Sequence, residues 1–143
     1  HDTGLRDTLS AVHQATAAAL AGRRVRLARP ARRNWHYAVG AADGLATLLT
    51  APRLRHCVYN LGSPHVWTLA DWCQKLRQRF PAFAFEVGDG PGDIELYGER
   101  DMGLLSWQRF RDEFPTCSAH DLDAASAGSL GHLDATRNFG LSR

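Results

Sequence analysis

The sequence predicts an α/β fold in a single domain over residues 1–143. Helical and strand-like hydrophobic periods alternate along the chain, and no linker divides it. The clearest signal is a strand–helix–strand unit in Arg32–Gly62. An alternating segment, Asn34–Val39, precedes a helix at Ala41–Thr50 and a second strand at His56–Leu61. A hydrophobic content of 44% in 143 residues is enough for one ordinary core.

A helix and a short strand are expected before this unit. Asp7 or Thr8 can cap the helix, whose apolar positions continue to Leu20, and Gly22 is well placed to stop it. Apolar and basic residues then alternate around Val25–Leu27, which predicts a short strand with one buried face.

The second half of the chain is expected to contain three helices and one strand. Thr68 can cap an amphipathic helix at Leu69–Phe80, and Phe83–Val87 alternates as a strand. A helix is expected at Gly103–Phe114, and a last one at about Asp121–Asn138, where two glycines lower the helical propensity.

Composition excludes several classes of protein. A formal charge of +2 is too small to indicate a nucleic-acid partner by itself. No stretch approaches the roughly 20 apolar residues of a membrane span, and no pattern of a secretory signal is visible. Cys57, Cys73 and Cys117 form no metal pattern, and we expect reduced thiols in a cytoplasmic protein without a membrane partner.

Four short motifs follow one another in the chain. The pattern R-x-N-aromatic-x-Y-x-V begins at Arg32, V-Y-N-L-G-S begins at Val58, T-L begins at Thr68, and G-P-G-D forms a turn at Gly90–Asp93. In this order the motifs resemble the C-terminal part of the extended short-chain dehydrogenases/reductases. These are the NAD-dependent nucleotide-sugar epimerases and dehydratases. The resemblance covers nearly the whole chain.

The resemblance implies a substrate-binding portion that lacks the N-terminal Rossmann core. Arg33 matches the family arginine that contacts the substrate diphosphate, and Asp93 matches the aspartate that accepts from the ribose hydroxyls. Val25 and Leu27 match the strand against the nucleotide base. Asn34 stands where the family often has an aspartate, and we count it with the substrate-binding residues. The second phosphate-clamping arginine of the family is replaced here by a glycine.

Two parts of the family's chemistry are absent from this sequence. There is no G-x-G-x-x-G turn for the dinucleotide pyrophosphate. The family's Tyr-x-x-x-Lys pair is also missing, since no lysine stands four residues after Tyr37, Tyr59 or Tyr97. We therefore expect no catalytic residue in this chain and no cofactor bound by it alone. NAD or NADP would belong to an intact parent protein whose cofactor half lies upstream.

Two alternatives stay open. One is a non-catalytic member of the same superfamily that senses a dinucleotide. The other is a polyanion-binding or nucleic-acid-binding module that uses the six arginines of Arg23–Arg33, although no aromatic residue is interleaved with them. A metal site is not expected, because the spacing of His36, His56 and His65 does not fit one.

The expected partners follow from the same resemblance. They are a nucleotide-sugar or a related small molecule and the missing N-terminal cofactor domain. In the family, the counterparts of Cys57–Leu61 and of the preceding helix pack on that domain. Without it, their apolar faces would be exposed, and self-association of the isolated chain is expected.

Overall fold

The computed structural model describes the following residues: 10–33, 35–63, 66–94, 103, 105–117, 122–128 and 130–131. These residues form a mixed α/β structure that divides into two compact units. The first unit contains residues 10–33 and 67–94. The second contains residues 35–63, residue 66 and the described residues from 103 onwards. The expectation of a single domain over residues 1–143 stays a prediction.

The elements of both units are numbered in chain order. They are α1 (Ala11–Leu20), β1 (Arg24–Leu27), β2 (Arg32–Arg33), α2 (Ala38–Thr50), β3 (Trp67–Thr68), α3 (Leu69–Arg79), β4 (Ala84–Val87) and α4 (Gln108–Glu113). Residues 122–128 are also helical. In the described part of the chain, no helix is both long enough and apolar enough to cross a membrane.

Helix α1 begins later than the sequence predicted. Ser10 caps it and accepts a hydrogen bond from the His13 amide, whereas Asp7 and Thr8 lie outside the described residues. Its buried side chains are all alanine: Ala11, Ala15, Ala18 and Ala19. Such small side chains allow a close approach to α3, where Trp72 Nε1 donates to Thr16 Oγ1 at 3.1 Å. The predicted stop at Gly22 is confirmed by its φ of 61°.

Helix α3 is confirmed, and each of its ends lies within one residue of the predicted position. It begins after Thr68, whose side chain accepts from the Asp71 amide at 3.1 Å. The Asp71 carboxylate accepts in return from the Thr68 amide at 2.7 Å, which completes a capping box. The buried side of the helix carries the residues expected from its period: Leu69, Trp72, Cys73 and Leu76.

The two predicted strands of the first unit are confirmed, and the structure adds their pairing. β1 and β4 lie parallel, with Arg24 opposite Ala84 and Leu27 opposite Val87. The chain connects them through α3, which packs on β4. A parallel pair needs a crossover of this kind, because a tight turn can join only antiparallel strands.

A second, very short pairing was not predicted. β2 and β3 are antiparallel, with Arg32 opposite Thr68 and Arg33 opposite Trp67. The Leu69 amide donates to the carbonyl of Ala31 at 3.1 Å, so the pairing also satisfies a donor in the first turn of α3.

The predicted strand at Asn34–Val39 is wrong in its described part. Residues 35–37 are not in a strand, and Ala38 and Val39 are the first two residues of α2. The Tyr37 carbonyl already accepts from the Ala41 amide at 3.0 Å, so helical bonding begins earlier than expected. The Ala-rich run after Tyr37 favours a helix, and here it outweighs the alternating pattern that predicted a strand. Asn34 lies outside the described residues.

The predicted strand at His56–Leu61 is also wrong. Residues 51–63 contain neither helix nor strand. The amides of Arg55 and His56 donate to side chains instead of to a neighbouring strand. A strand is stable only where its backbone groups are paired, and the described residues offer it no partner strand.

The last two predicted helices are partly confirmed. α4 is shorter than the predicted Gly103–Phe114, and its Phe110 is buried. Of the predicted Asp121–Asn138, residues 122–128 and 130–131 are helical, and the remaining positions lie outside the described residues.

Candidate functional site

Three of the predicted substrate-binding residues lie close together in the first unit. Val25 and Leu27 belong to β1, and Asp93 contacts the residue between them. The side chains of Val25 and Leu27 are 4% and 1% exposed, so they belong to the core. Any contact of these two residues with a nucleotide base would therefore have to come from their backbone.

Asp93 is held against the outer edge of β1 by two hydrogen bonds. Its Oδ2 accepts from the Arg26 amide at 2.6 Å, and its own amide donates to the Arg26 carbonyl at 2.8 Å. Successive residues of a strand direct their backbone groups to opposite edges. Because the Leu27 carbonyl bonds to Gly88 on the β4 side, the Arg26 groups point to the other edge. Asp93 thus makes the two backbone hydrogen bonds to Arg26 that a neighbouring strand would otherwise make.

The turn at residues 88–93 crosses the carboxyl end of β1 at close range. The Arg26 guanidinium donates to the Asp89 carbonyl at 2.6 Å. At Gly92 a Cβ atom would stand 2.7 Å from the Ala28 amide nitrogen and 2.9 Å from the Arg26 carbonyl oxygen, so only glycine fits there. The carboxyl ends of parallel strands are where open α/β sheets bind ligands. We take this turn and β1 as the candidate site.

The charges at the candidate site are mixed. Glu86 stands opposite Arg26 in the strand register, and Asp89 and Asp93 lie in the turn, all three with exposed side chains. Carboxylates accept hydrogen bonds from hydroxyl groups, whereas the Arg26 guanidinium is the cation of this cluster. The arrangement suits a ligand rich in hydroxyl groups.

Arg26 is the residue of this site that sequence reasoning did not single out. Its position between Val25 and Leu27 placed it on the polar face of the predicted strand, and that was the available signal. Nothing in the local pattern indicates that its side chain would reach a turn 63 residues later in the chain.

The other two predicted residues lie at β2. Arg33 pairs through its backbone with Trp67 of β3. The side chain of Arg33 and the whole of Asn34 lie outside the described residues. Their roles in binding stay predictions.

The described side chains of the arginine run do not form one face in the structure. Arg23 and Arg24 are exposed at the amino end of β1, whereas Arg29 and Arg32 follow its carboxyl end. Arg26 is engaged by the turn. The structure therefore distributes these charges over two ends of a strand.

The cysteines and histidines of the described residues form no cluster of three or more metal-ligating side chains. Cys57, Cys73 and Cys117 are all free thiols. Burial raises the pKa of Cys73 to about 12, so this thiol stays protonated at neutral pH.

The second unit contains a polar cluster of its own. Glu113 Oε2 accepts from the Tyr59 hydroxyl at 2.6 Å, and Oε1 accepts from the Arg55 amide at 2.9 Å. Burial, followed by the bond to Glu113, raises the pKa of Tyr59. Burial alone would raise the pKa of Glu113. The net effect is a lowered pKa, because the carboxylate accepts hydrogen bonds from Tyr59 and Arg55 and lies near the charges of Arg55 and His56. The cluster is therefore a phenol donating to a carboxylate at neutral pH.

The second unit also has a shallow surface pocket with room for about one water molecule. Glycines, aromatic rings and two polar side chains line it, among them Gly44, Trp107, Phe110, His36 and Cys117. Val25, Leu27 and Asp93, the predicted substrate-binding residues whose side chains the structure describes, do not contribute to it.

No protein-family model and no curated protein matches the chain. The resemblance described above therefore rests on the residues of the chain alone.

Proposed function

We propose that the chain is the substrate-binding part of an NAD(P)-dependent epimerase/dehydratase-like oxidoreductase that acts on nucleotide-sugars. One observation supports this most. The Gly90–Asp93 turn, which is similar to a substrate-binding turn of that family, lies at the carboxyl ends of the parallel strands β1 and β4. Ligands of open α/β sheets bind at such ends.

In this proposal the chain binds and orients the substrate and does not carry out the chemistry. The upstream half of the parent would hold the nicotinamide, which would supply a hydride acceptor for the carbon that bears a sugar hydroxyl, while the hydroxyl proton would pass to a base. Arg33 would bind the diphosphate, for which a guanidinium fork is well suited. The β1 backbone would lie beside the base, since the Val25 and Leu27 side chains are buried.

Asp93 would have two functions in this arrangement. Its bond to the Arg26 amide fixes the turn on β1. A carboxylate has two oxygens and about four acceptor positions, so one bond leaves capacity for a ribose hydroxyl. The structural bond thus holds the carboxylate in place before a ligand arrives, which reduces the ordering cost of binding.

The role of Arg33 is tested in the intact parent protein. Replacing Arg33 with alanine is expected to weaken the binding of nucleotide-sugars by roughly 1.5–3 kcal/mol, the range for a charge-assisted hydrogen bond. Calorimetric titration with uridine, guanosine and thymidine diphosphate sugars measures the change. Arg32→Ala is the matched control, because Arg32 is exposed and adjacent in the chain. Equal affinity of Arg33→Ala and wild type for all three ligands would remove Arg33 from the site.

The isolated chain is expected to self-associate, because the second unit exposes large apolar side chains. On α2, five apolar residues fall within an arc of about 120° at 3.6 residues per turn: Val39, Ala42, Leu45, Ala46 and Leu49. Leu49 is 85% exposed, and Val58, in the region after α2, is 62% exposed. Exposed apolar patches of this kind mark interaction surfaces.

Light scattering at rising concentration measures this association. The variant Leu49→Lys should reduce it, whereas Leu105→Lys, at a residue with 54% exposure outside α2, should not. A strictly monomeric chain at every concentration would contradict the expectation.

A further inference from the structure

The segment Arg55–Asn60, called the strap below, is tied to α4 by side chains. Glu113 is at the centre of the tie, since its two oxygens accept from the Arg55 amide at 2.9 Å and from the Tyr59 hydroxyl at 2.6 Å. The Tyr59 oxygen in turn accepts from the His56 amide at 2.9 Å. The Glu113 carboxylate therefore accepts two hydrogen bonds from the strap directly, and it positions Tyr59 to accept the third.

Ring contacts support the same arrangement. The Tyr59 ring lies 6.2 Å from the ring of Phe114, which follows α4, and 5.7 Å from His56 in an edge-on orientation. Phe114 packs in turn on the buried Phe110 at 5.3 Å. The strap thus rests on the aromatic side of α4 as well as on Glu113.

The bonds of the strap replace the bonds of a strand. The pattern from His56 to Leu61 is typical of a β-strand, yet the amides of Arg55 and His56 bond to side chains. Cys57 and Val58 are exposed. Side chains thus satisfy the first two amides of the strap.

Glu113 occupies an unfavourable place for a carboxylate. It is the last residue of α4, where the helix dipole disfavours negative charge. The donors from the strap compensate for this, so Glu113 and the strap stabilise each other. Removing either partner should release the other.

We propose that Glu113 is a latch, which holds the strap on α4. When the latch opens, the strap is released from α4, and the amides of Arg55 and His56 lose the acceptors that the closed latch gives them. The latch therefore sets the free-energy cost of releasing the strap. All of its contacts lie within the second unit, and it holds whether or not the chain binds a nucleotide-sugar.

Amide hydrogen exchange on the whole chain tests the latch residue by residue. The variant Glu113→Ala should accelerate exchange at Arg55 and His56 by roughly ten-fold or more. The Arg55 amide loses its hydrogen bond to the charged carboxylate. The His56 amide bonds to Tyr59, and the Tyr59 hydroxyl is no longer held in place by Glu113. Glu113→Gln keeps one acceptor oxygen and should give a smaller acceleration. Asp112→Ala is the control, since this neighbouring carboxylate bonds to Gln108 and not to the strap.

Exchange in α3 separates local opening from general destabilisation. In every variant the α3 amides should exchange as in wild type, because α3 belongs to the first unit. If Glu113→Ala does not fold, Tyr59→Phe removes the acceptor of the His56 amide and should accelerate exchange there by itself. Unchanged exchange at Arg55 and His56 in a folded Glu113→Ala, or at His56 in Tyr59→Phe, would overturn the proposal.

Discussion

Replacing Leu76 with alanine is expected to lower the free energy of unfolding by about 2–5 kcal/mol. Leu76 is fully buried on α3, and it is among the largest side chains without exposure in the described residues. The substitution removes the transfer free energy of the lost carbons and leaves a cavity that close-packed neighbours fill only in part. Urea denaturation followed by circular dichroism measures the change.

Leu105→Ala is the matched control for this measurement. It makes the same chemical change, but Leu105 is 54% exposed and lies outside α2. Its effect should stay within about 0.5 kcal/mol of wild type. Equal losses in the two variants would contradict the assignment of α3 to the core of the first unit.

Gly92→Ala is expected to destabilise the chain by about 1–3 kcal/mol, the usual range for overpacking. The added Cβ would stand 2.7 Å and 2.9 Å from backbone atoms of Ala28 and Arg26. A flexible side chain could change its rotamer to relieve such a contact, but these two backbone atoms cannot. The turn would have to move away from β1, and the bond between Asp93 and the Arg26 amide would lengthen.

Gly103→Ala is the control for Gly92→Ala, because nothing lies within 4 Å of a Cβ at Gly103. Thermal denaturation of the two variants should show a lower midpoint for Gly92→Ala only. Amide exchange at Arg26 should also accelerate in Gly92→Ala. Wild-type stability of that variant would mean that the turn does not pack on β1 as described.

Helix α3 and the strands β1 and β4 could be predicted because their signals are local. Thr68 provides a cap, and Leu69, Trp72, Cys73 and Leu76 repeat at helical spacing. The residues around Val25 and Leu27 alternate between buried and polar positions, as the structure confirms. Such patterns report which face of an element is buried, and this is what a sequence records best.

The two failed strands show where local patterns are insufficient. Both Asn34–Val39 and His56–Leu61 have strand-like sequences, but a strand also needs partners for its backbone groups. Ala38 and Val39 join a helix instead, and the amides of Arg55 and His56 are satisfied by side chains. A sequence pattern does not show whether the backbone groups will bond to a neighbouring strand, within a helix or to side chains.

The candidate site could be predicted only in part, for a similar reason. The turn at Gly90–Asp93 was recognisable as a turn, and the family resemblance pointed to Asp93. Its bond to Arg26 joins residues 67 positions apart, and it depends on the parallel pairing of β1 with β4. No periodicity indicates which strands pair across such a separation.

Calorimetric titration of the chain with NAD and with NADP tests the central claim most directly. The sequence lacks both the glycine-rich turn for a pyrophosphate and the Tyr-x-x-x-Lys pair. If the chain is the substrate-binding part of a larger oxidoreductase, neither dinucleotide should bind with micromolar affinity. Micromolar binding of either one would contradict the claim, because the chain would then contain a cofactor site of its own.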